Sequence, residues 1–284
     1  MTVSRRKPDF LVIGATKSGT TSLDRWLRGH PQIWMPEKEL RYFTVQHNLH
    51  RGPDWYAAQF AGAPRGAILG ESSNAYTRHP VYDGVPERIA AALPDIKLIY
   101  LIRDPMRRIE SHYRHRLVTG IEWRGPDAAV RSDPRYLAAS LYGHQLAQYR
   151  RFVSAERILV LQAEEMFADP GPVLARVAAF LGVAAENGPR FAAANVTASR
   201  RVAPWPLRRL AAYPPAKDTA KKIARTIGAS PLKHLLSTAD QPGFVLSPEL
   251  RAELHERFET DRQLLDELTS PQTADQSLVE ALTS

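Results

Sequence analysis

Phe10-Leu-Val-Ile-Gly-Ala-Thr-Lys-Ser-Gly-Thr-Thr-Ser-Leu23 is the stretch on which the reading of the whole chain turns. Phe10, Leu11, Val12 and Ile13 form a short continuous apolar run, the pattern of a strand buried on both faces. Gly14 ends it, and a loop of glycine, lysine and hydroxyl residues leads into a helical run from Ser22 to Arg28. A strand that turns through such a loop into a helix aims several backbone N–H groups and the positive helix end at one spot. That spot suits an anion, most often a phosphate. The order Gly14-x-x-Lys17-Ser18-Gly19-Thr20-Thr21 is not that of a Walker A loop, where the lysine follows the second glycine. Here the lysine precedes it and is presented from a different side. The bland alternative is a surface turn capped by Ser or Thr, and the buried strand just upstream argues against it.

Strand and helix patterns alternate from Phe10 to Leu181. A loop or edge segment broken by Pro31 and Pro36 follows the first helix, and Pro53-Asp-Trp-Tyr-Ala-Ala-Gln-Phe60 predicts a second. Ala67-Ile-Leu-Gly-Glu-Ser-Ser73 reads as a buried strand, Pro86 to Leu93 as a short helix, and Lys97-Leu-Ile-Tyr-Leu-Ile102 as the clearest strand of all. Pro105 opens a helix running to about Leu117. A long helix is expected over Tyr136 to Val153, a strand over Arg157 to Gln162 and a helix over Pro172 to Leu181. The alternation predicts an α/β fold with a central parallel sheet flanked by helices. Ligands of such sheets sit beyond the carboxyl ends of the strands, where this chain carries Lys17, Glu71 and Arg103.

The pattern breaks down over 204–244, a variable segment rich in Pro, Lys and Arg. An amphipathic helix resumes from Ser247 to Leu268, with Ser247 as N-cap and Pro248 at its first position, and the residues after 270 read as a polar, flexible tail. The 284 residues fit one large domain. There is no cysteine, so disulfides, zinc–thiolate sites and thiol catalysis are excluded. No apolar run is long enough to span a membrane and no secretory cleavage site follows the basic N-terminus, so a cytoplasmic location is expected, with peripheral membrane contact left open. A net charge of +8 implies attraction to anions without choosing among them.

Two motifs resemble those of the sulfotransferases that use 3′-phosphoadenosine 5′-phosphosulfate (PAPS). Lys17-Ser-Gly-Thr-Thr-Ser-Leu23 is similar to their 5′-phosphosulfate loop, and Arg103-Asp-Pro105 with Ser111 eight residues on is similar to their 3′-phosphate motif. His30-Pro-x-Ile33, Lys38-Glu-Leu-Arg-Tyr-Phe43 and Asp54-Trp-Tyr56 resemble the carbohydrate branch, including the heparan sulfate sulfotransferases. The resemblance runs on through Tyr142, Arg157-Ile-Leu-Val-Leu161, Asp169-Pro170 and Phe180-Leu-Gly182.

The resemblance implies transfer of a sulfuryl group from PAPS to a hydroxyl or amine of a sugar, glycolipid or secondary metabolite, with no metal required and no nucleic acid as partner. It assigns Lys17, Ser18, Gly19, Thr20, Thr21 and Ser22 to the 5′-phosphate, and Arg103 and Ser111 to the 3′-phosphate. Arg200 and Arg201, on a late basic loop, are further cofactor candidates. Sulfuryl transfer, like phosphoryl transfer, is a matter of alignment and charge stabilisation. Lys17 then stabilises the leaving phosphate, and Glu39, which matches the branch's catalytic glutamate before an aromatic pair, is the base. His47, His112 and His115 are rival bases, and pairing of Glu39 with Lys38 or Arg41 is its bland alternative. Lys38, Tyr42, Phe43, Trp55 and Tyr76 are the acceptor-side candidates, although core packing explains most such aromatics equally well.

One departure stands out. Several carbohydrate sulfotransferases carry a lysine after the glutamate of the segment matching Glu71-Ser-Ser-Asn-Ala-Tyr76, and here Ser72 takes that place. Lys38 or an arginine of the variable segment is the expected substitute. Two other functions compete. A P-loop kinase needs magnesium ligands and a lysine after the second loop glycine, and neither is found. A non-enzymatic binder of anionic surfaces is suggested by Arg208, Arg209, Lys217, Lys221, Lys222 and Arg225, without a nucleic-acid motif to accompany them.

Overall fold

Phe10–Gly14 is β1, the central strand of a five-stranded sheet in the order β2-β3-β1-β4-β5. The others are β2 (Ile33–Trp34), β3 (Ile68–Ser72), β4 (Lys97–Ile102) and β5 (Ile158–Gln162), and every pairing is parallel. The computed structural model of the chain describes residues 6–37, 39–193 and 243–270. The helices are α1 (Thr20–Gly29), α2 (Gly52–Ala58), α3 (Val85–Ala92), α4 (Pro105–Val118), α5 (Pro126–Ser132), α6 (Pro134–Ala138), α7 (Tyr142–Arg150), α8 (Ala163–Ala168), α9 (Pro170–Leu181) and α10 (Pro248–Thr269). The expected α/β architecture with a parallel sheet flanked by helices is the one observed.

The described residues belong to two compact units, one of Met1–Pro105, Ala138–Ala194 and Glu256–Ser284, the other of Met106–Leu137 and Asn195–His255. The sheet lies in the first. Alternation along its strands sends Leu11, Ile13, Leu98, Tyr100 and Ile102 into one core with Ile89 of α3 and Leu146 and Tyr149 of α7. Phe10, Val12, Ile99 and Leu101 enter a second core with Leu23 and Trp26 of α1 and Val173 and Val177 of α9. All four apolar residues that open β1 are completely buried. Each such burial contributes about 1.5–3 kcal/mol. Gly70 on β3 is needed here because a Cβ would lie 2.1 Å from the Phe10 ring.

The second unit contains a buried cluster of charged side chains. Glu122 is fully buried and accepts hydrogen bonds from Arg124 Nε at 2.7 Å and from the Tyr136 hydroxyl at 3.1 Å. Burial opposes its ionisation, but the Arg124 bonds and the Tyr136 hydroxyl outweigh it and hold the carboxyl below its usual range. Asp133 bridges Arg116 at 3.1 Å and Arg135 at 2.7 Å.

One expected element is corrected. The helical period over Tyr136 to Val153 is not one helix: α6 stops at Ala138 and α7 starts afresh at Tyr142. The cause lies far along the chain. Both carboxylate oxygens of Asp261, on α10, accept from the Gly143 and His144 N–H groups at 2.9 and 2.8 Å, so a new helix start is capped from outside. The proline-broken segment also supplies β2, an edge strand two residues long. Ser247 caps α10 as expected, accepting from the Leu250 N–H.

Candidate active site

The chain leaves β1 at Gly14, and Ala15 donates its N–H to the Leu101 carbonyl of β4 at 2.6 Å. The loop is therefore tied to the neighbouring strand before α1 begins. Gly19 stands at the N-cap with φ of 89°, and a Cβ there would also meet the Phe167 ring at 2.8 Å. Lys17 has φ of 70° as well, an uncommon backbone state for a residue with a side chain. The start of α1 has no side-chain cap and no acidic residue in its first turn. Thr16, Ser18, Thr20 and Ser22 are buried, Lys17 and Gly19 half-buried and Thr21 exposed. The Ser18 hydroxyl is sealed from solvent and finds no hydrogen-bond partner among the described residues. An uncapped helix start beside an orphaned buried hydroxyl and a lysine is chemically suited to an anion.

Arg103 follows β4. Its guanidinium reaches the Lys17 carbonyl at 3.5 Å, and its Nε lies 3.8 Å from the Glu164 carboxylate. Glu164 also accepts from the Asp104 N–H at 3.1 Å, so the Arg-Asp-Pro turn rests on α8. The two motifs met far apart in the sequence are thus joined at the ends of adjacent strands. Ser111, half-buried on α4, belongs to the second unit.

Glu39 is held on both oxygens. Arg41 donates to its Oε2 from Nε at 2.9 Å and from its terminal nitrogen at 2.8 Å, and Asn74 donates to Oε1 at 2.6 Å. The bland pairing with Arg41 is therefore present, but Asn74 gives the carboxylate a second fixed direction. Asn74 in turn accepts from Arg78 at 2.7 Å, and Arg78 donates to the Thr16 hydroxyl of the β1–α1 loop at 3.1 Å. A continuous hydrogen-bonded path runs from Glu39 to the β1–α1 loop.

Glu71, at the end of β3, has a different part. It is fully buried and accepts from the hydroxyls of Tyr56, Ser73 and Tyr76 at 2.6, 2.6 and 2.7 Å. Burial raises its pKa, and the three hydroxyl donors act in the opposite direction. Ser73 also accepts from the Arg41 N–H at 2.9 Å, so the buried carboxylate braces the backbone that presents Arg41 to Glu39.

The remaining candidates divide. Phe43 and Tyr76 are buried in the core, Tyr42 stacks on Tyr56 with ring centroids 4.4 Å apart, and Trp55 is half-buried beneath the Arg51 guanidinium at 4.3 Å. His47 is half-buried, 2.7 Å from the Thr44 hydroxyl and edge-on to Tyr82. Burial, Arg41 and Arg78 lower its pKa, with Glu39 opposing them, which leaves it neutral at physiological pH. His112 packs on Tyr136 in the second unit, and His115 lies on the same helix. Lys38, Arg200, Arg201, Trp205 and the basic segment at 208–225 lie outside the described residues. Sequence reasoning passed over Asn74 and Arg78. Their spacing of four just past the strand that carries Glu71 was the available signal. Among the described residues no helix is long and apolar enough to cross a membrane, and no group of three or more His, Cys, Asp or Glu residues could hold a metal.

Comparison with known proteins bears on the family and the fold. Residues 7–196 match the profile of the sulfotransferase domain. The bifunctional heparan sulfate N-deacetylase/N-sulfotransferase 4 of Mus musculus is 29% identical over 200 residues, 62% of this chain and 22% of that protein. The heparan sulfate glucosamine 3-O-sulfotransferase 3B1 of the same organism is 29% identical over 189 residues, 63% of this chain and 47% of the relative. The chain thus spans less than half the length of these curated relatives. The crystal structure of a sulfotransferase from Alicyclobacillus acidocaldarius superposes with a TM-score of 0.65 at 25% identity, covering 93% of this chain and 96% of that one. The profile takes in well over half of the 284 residues, and the chain belongs to the sulfotransferase domain family.

Proposed function

We propose that this chain transfers a sulfuryl group from PAPS to a hydroxyl or amine of a sugar, glycolipid or secondary-metabolite acceptor, acting as one sulfotransferase domain over residues 1–284. The observation that supports the reading is the Arg103 to Lys17 contact, which joins the two sequence motifs, 86 positions apart. The residues fit the donor: an uncapped helix start and the orphaned Ser18 hydroxyl suit a phosphate, and Arg103 offers a fork for a second one. PAPS supplies the activated sulfuryl group. The backbone of residues 18–21 and the hydroxyls of Ser18, Thr20, Thr21 and Ser22 hold its 5′-phosphate, and Arg103 its 3′-phosphate, to which the resemblance adds Ser111. Glu39 takes the acceptor proton as the acceptor oxygen or nitrogen bonds to sulfur. Lys17 meets the negative charge left on the departing phosphate oxygen as the sulfur–oxygen bond breaks. Asn74 holds Glu39 in direction while this happens. Trp55, exposed on one side beside Arg51, is an acceptor-side contact, and the similarity to heparan sulfate sulfotransferases favours a saccharide.

Calorimetric titration tests the reading. Adenosine 3′,5′-bisphosphate is expected to bind without metal and more tightly than 5′-AMP or ATP with Mg²⁺. Binding of ATP with Mg²⁺ in preference would move the chain to the nucleotide kinases. A panel of saccharide acceptors with labelled PAPS then identifies the acceptor.

A further inference from the structure

We propose that Arg78 is the cation that receives the transferring sulfonate, and that Asn74 ties it to the base Glu39. The inference rests on the sulfotransferase reading of the site. Arg78 is half-buried, and its Nε is shut off from solvent with no hydrogen-bond partner among the described residues. Its contacts are neutral: the Thr16 hydroxyl, the Asn74 side-chain carbonyl and the Tyr82 ring, 6.0 Å from the guanidinium carbon. Among the described residues no carboxylate forms an ion pair with it. Burial pulls its pKa below the ordinary value, yet an arginine does not lose its proton inside a protein. Glu39 acts on it only through space and is itself paired directly with Arg41. A desolvated guanidinium with one N–H orphaned and no direct ion pair is costly unless an anion completes it.

Its position says which anion. Arg78 touches the phosphate loop at Thr16 on one side and, through Asn74, the carboxylate of Glu39 on the other. The group that passes from a phosphate on that loop to an acceptor deprotonated by Glu39 must lie between the two, and Arg78 is the described cation that spans them. Ser72, at the end of β3, offers no charge there. The segment bearing Arg78 is anchored for this work. The Thr77 hydroxyl donates to the Ile13 carbonyl at 3.2 Å, and Gln145 of α7 pairs with both the N–H and the carbonyl of His79, at 2.9 and 2.8 Å. Asn74 serves as a splint, its amide nitrogen donating to the base and its oxygen accepting from the cation, so the two charges keep a fixed spacing.

Titration of wild type, Arg78→Gln and Arg78→Lys with PAPS and with adenosine 3′,5′-bisphosphate tests this, the two ligands differing by the sulfonate. Both variants keep a hydrogen-bonding end, and their melting curves check folding. Arg78→Gln is expected to lose tenfold or more in PAPS affinity while changing bisphosphate affinity less than threefold, and Arg78→Lys to recover most of the PAPS loss. Equal weakening of both ligands would make Arg78 a contact of the 5′-phosphate or a structural residue, and unchanged PAPS affinity would remove it from the site. Either result overturns the inference. Should Arg78→Gln not fold, Arg78→Met, which keeps the length and removes the charge, takes its place under the same criteria. A wild type that binds neither nucleotide sinks the sulfotransferase reading itself, a failure distinct from the others.

Discussion

Arg103→Ala separates a specific phosphate contact from general electrostatic attraction. Arg103 is one-third exposed, with Glu164 3.8 Å away as its carboxylate neighbour and the Lys17 carbonyl at the limit of hydrogen bonding. Neither holds it tightly, so little is lost when a phosphate recruits it. A hydrogen-bonded arginine–phosphate pair is worth about 1.5–3 kcal/mol, and exposure places Arg103 in the lower half of that range. The variant should therefore bind adenosine 3′,5′-bisphosphate about ten- to fifty-fold more weakly. Binding of 5′-AMP, which lacks the 3′-phosphate, should change less than about twofold, from the lost long-range field of one charge at physiological salt. Calorimetry on both proteins with both nucleotides closes a cycle whose coupling term belongs to the Arg103–3′-phosphate pair. Glu164→Gln, which keeps the acceptor for the Asp104 N–H but removes the competing charge, should tighten bisphosphate binding by about two- to threefold. If Arg103→Ala weakens both nucleotides in equal proportion, the coupling is zero and Arg103 does not read the 3′-phosphate.

Glu39→Gln should leave bisphosphate binding within about twofold and cut acceptor-dependent release of adenosine 3′,5′-bisphosphate by about 10²–10⁴. Its melting temperature should hardly move, since the pair with Arg41 is partly exposed and such pairs contribute about 0–1 kcal/mol. If turnover survives in Glu39→Gln and fails in His47→Asn, the base is His47. Asn74→Ala, which frees Glu39 and Arg78 together, should slow turnover while leaving bisphosphate affinity nearly unchanged, and equal losses in both would refute its role as splint. Gly70→Ala drives a methyl group into the Phe10 ring and should cost about 1–3 kcal/mol in urea unfolding. Burial raises the Glu71 pKa in the folded protein, so its contribution is fully present below the unfolded carboxyl value and is lost as pH rises through the folded one. Wild type should therefore lose stability relative to Glu71→Gln across that window. Parallel urea midpoints for the two proteins from pH 4 upward would contradict the assignment.

The sheet was legible because its central strands β1 and β4 are buried and read as unbroken apolar runs, and because helical patterns alternate with the strands, as in a parallel sheet flanked by helices. Phe10 to Ile13 and Leu98 to Ile102 needed no context. The turn that follows β1 was legible too: Gly19, with its positive φ, stands between an apolar run and the helical run of α1. The break between α6 and α7 was not, because the helical period continues through it and the agent is Asp261, 118 positions beyond Gly143. A local pattern cannot report a cap delivered by another helix. The burial of Phe43 and Tyr76 was hidden likewise, since an aromatic that packs and one that stacks on a sugar have the same one-letter signature.

Arg78 escaped notice for a reason that bears on the site itself. In sequence, an isolated arginine after Tyr-Thr and before His-Pro is a surface charge, the commonest fate of the residue type. Its meaning comes from two contacts that only the fold creates, one with Thr16, 62 positions earlier, and one with Asn74, which holds a glutamate 35 positions before it. The missing lysine at Ser72 was therefore an incomplete description of the departure. A cation attached to the last turn of a strand and one attached six residues later, on a segment folded back over the loop, can face the same anion from different backbone origins. What such a site requires is a positive charge between the phosphate and the base, and the backbone position that supplies it is free to move so long as the segment is pinned. Here Gln145 and the Thr77 hydroxyl do the pinning.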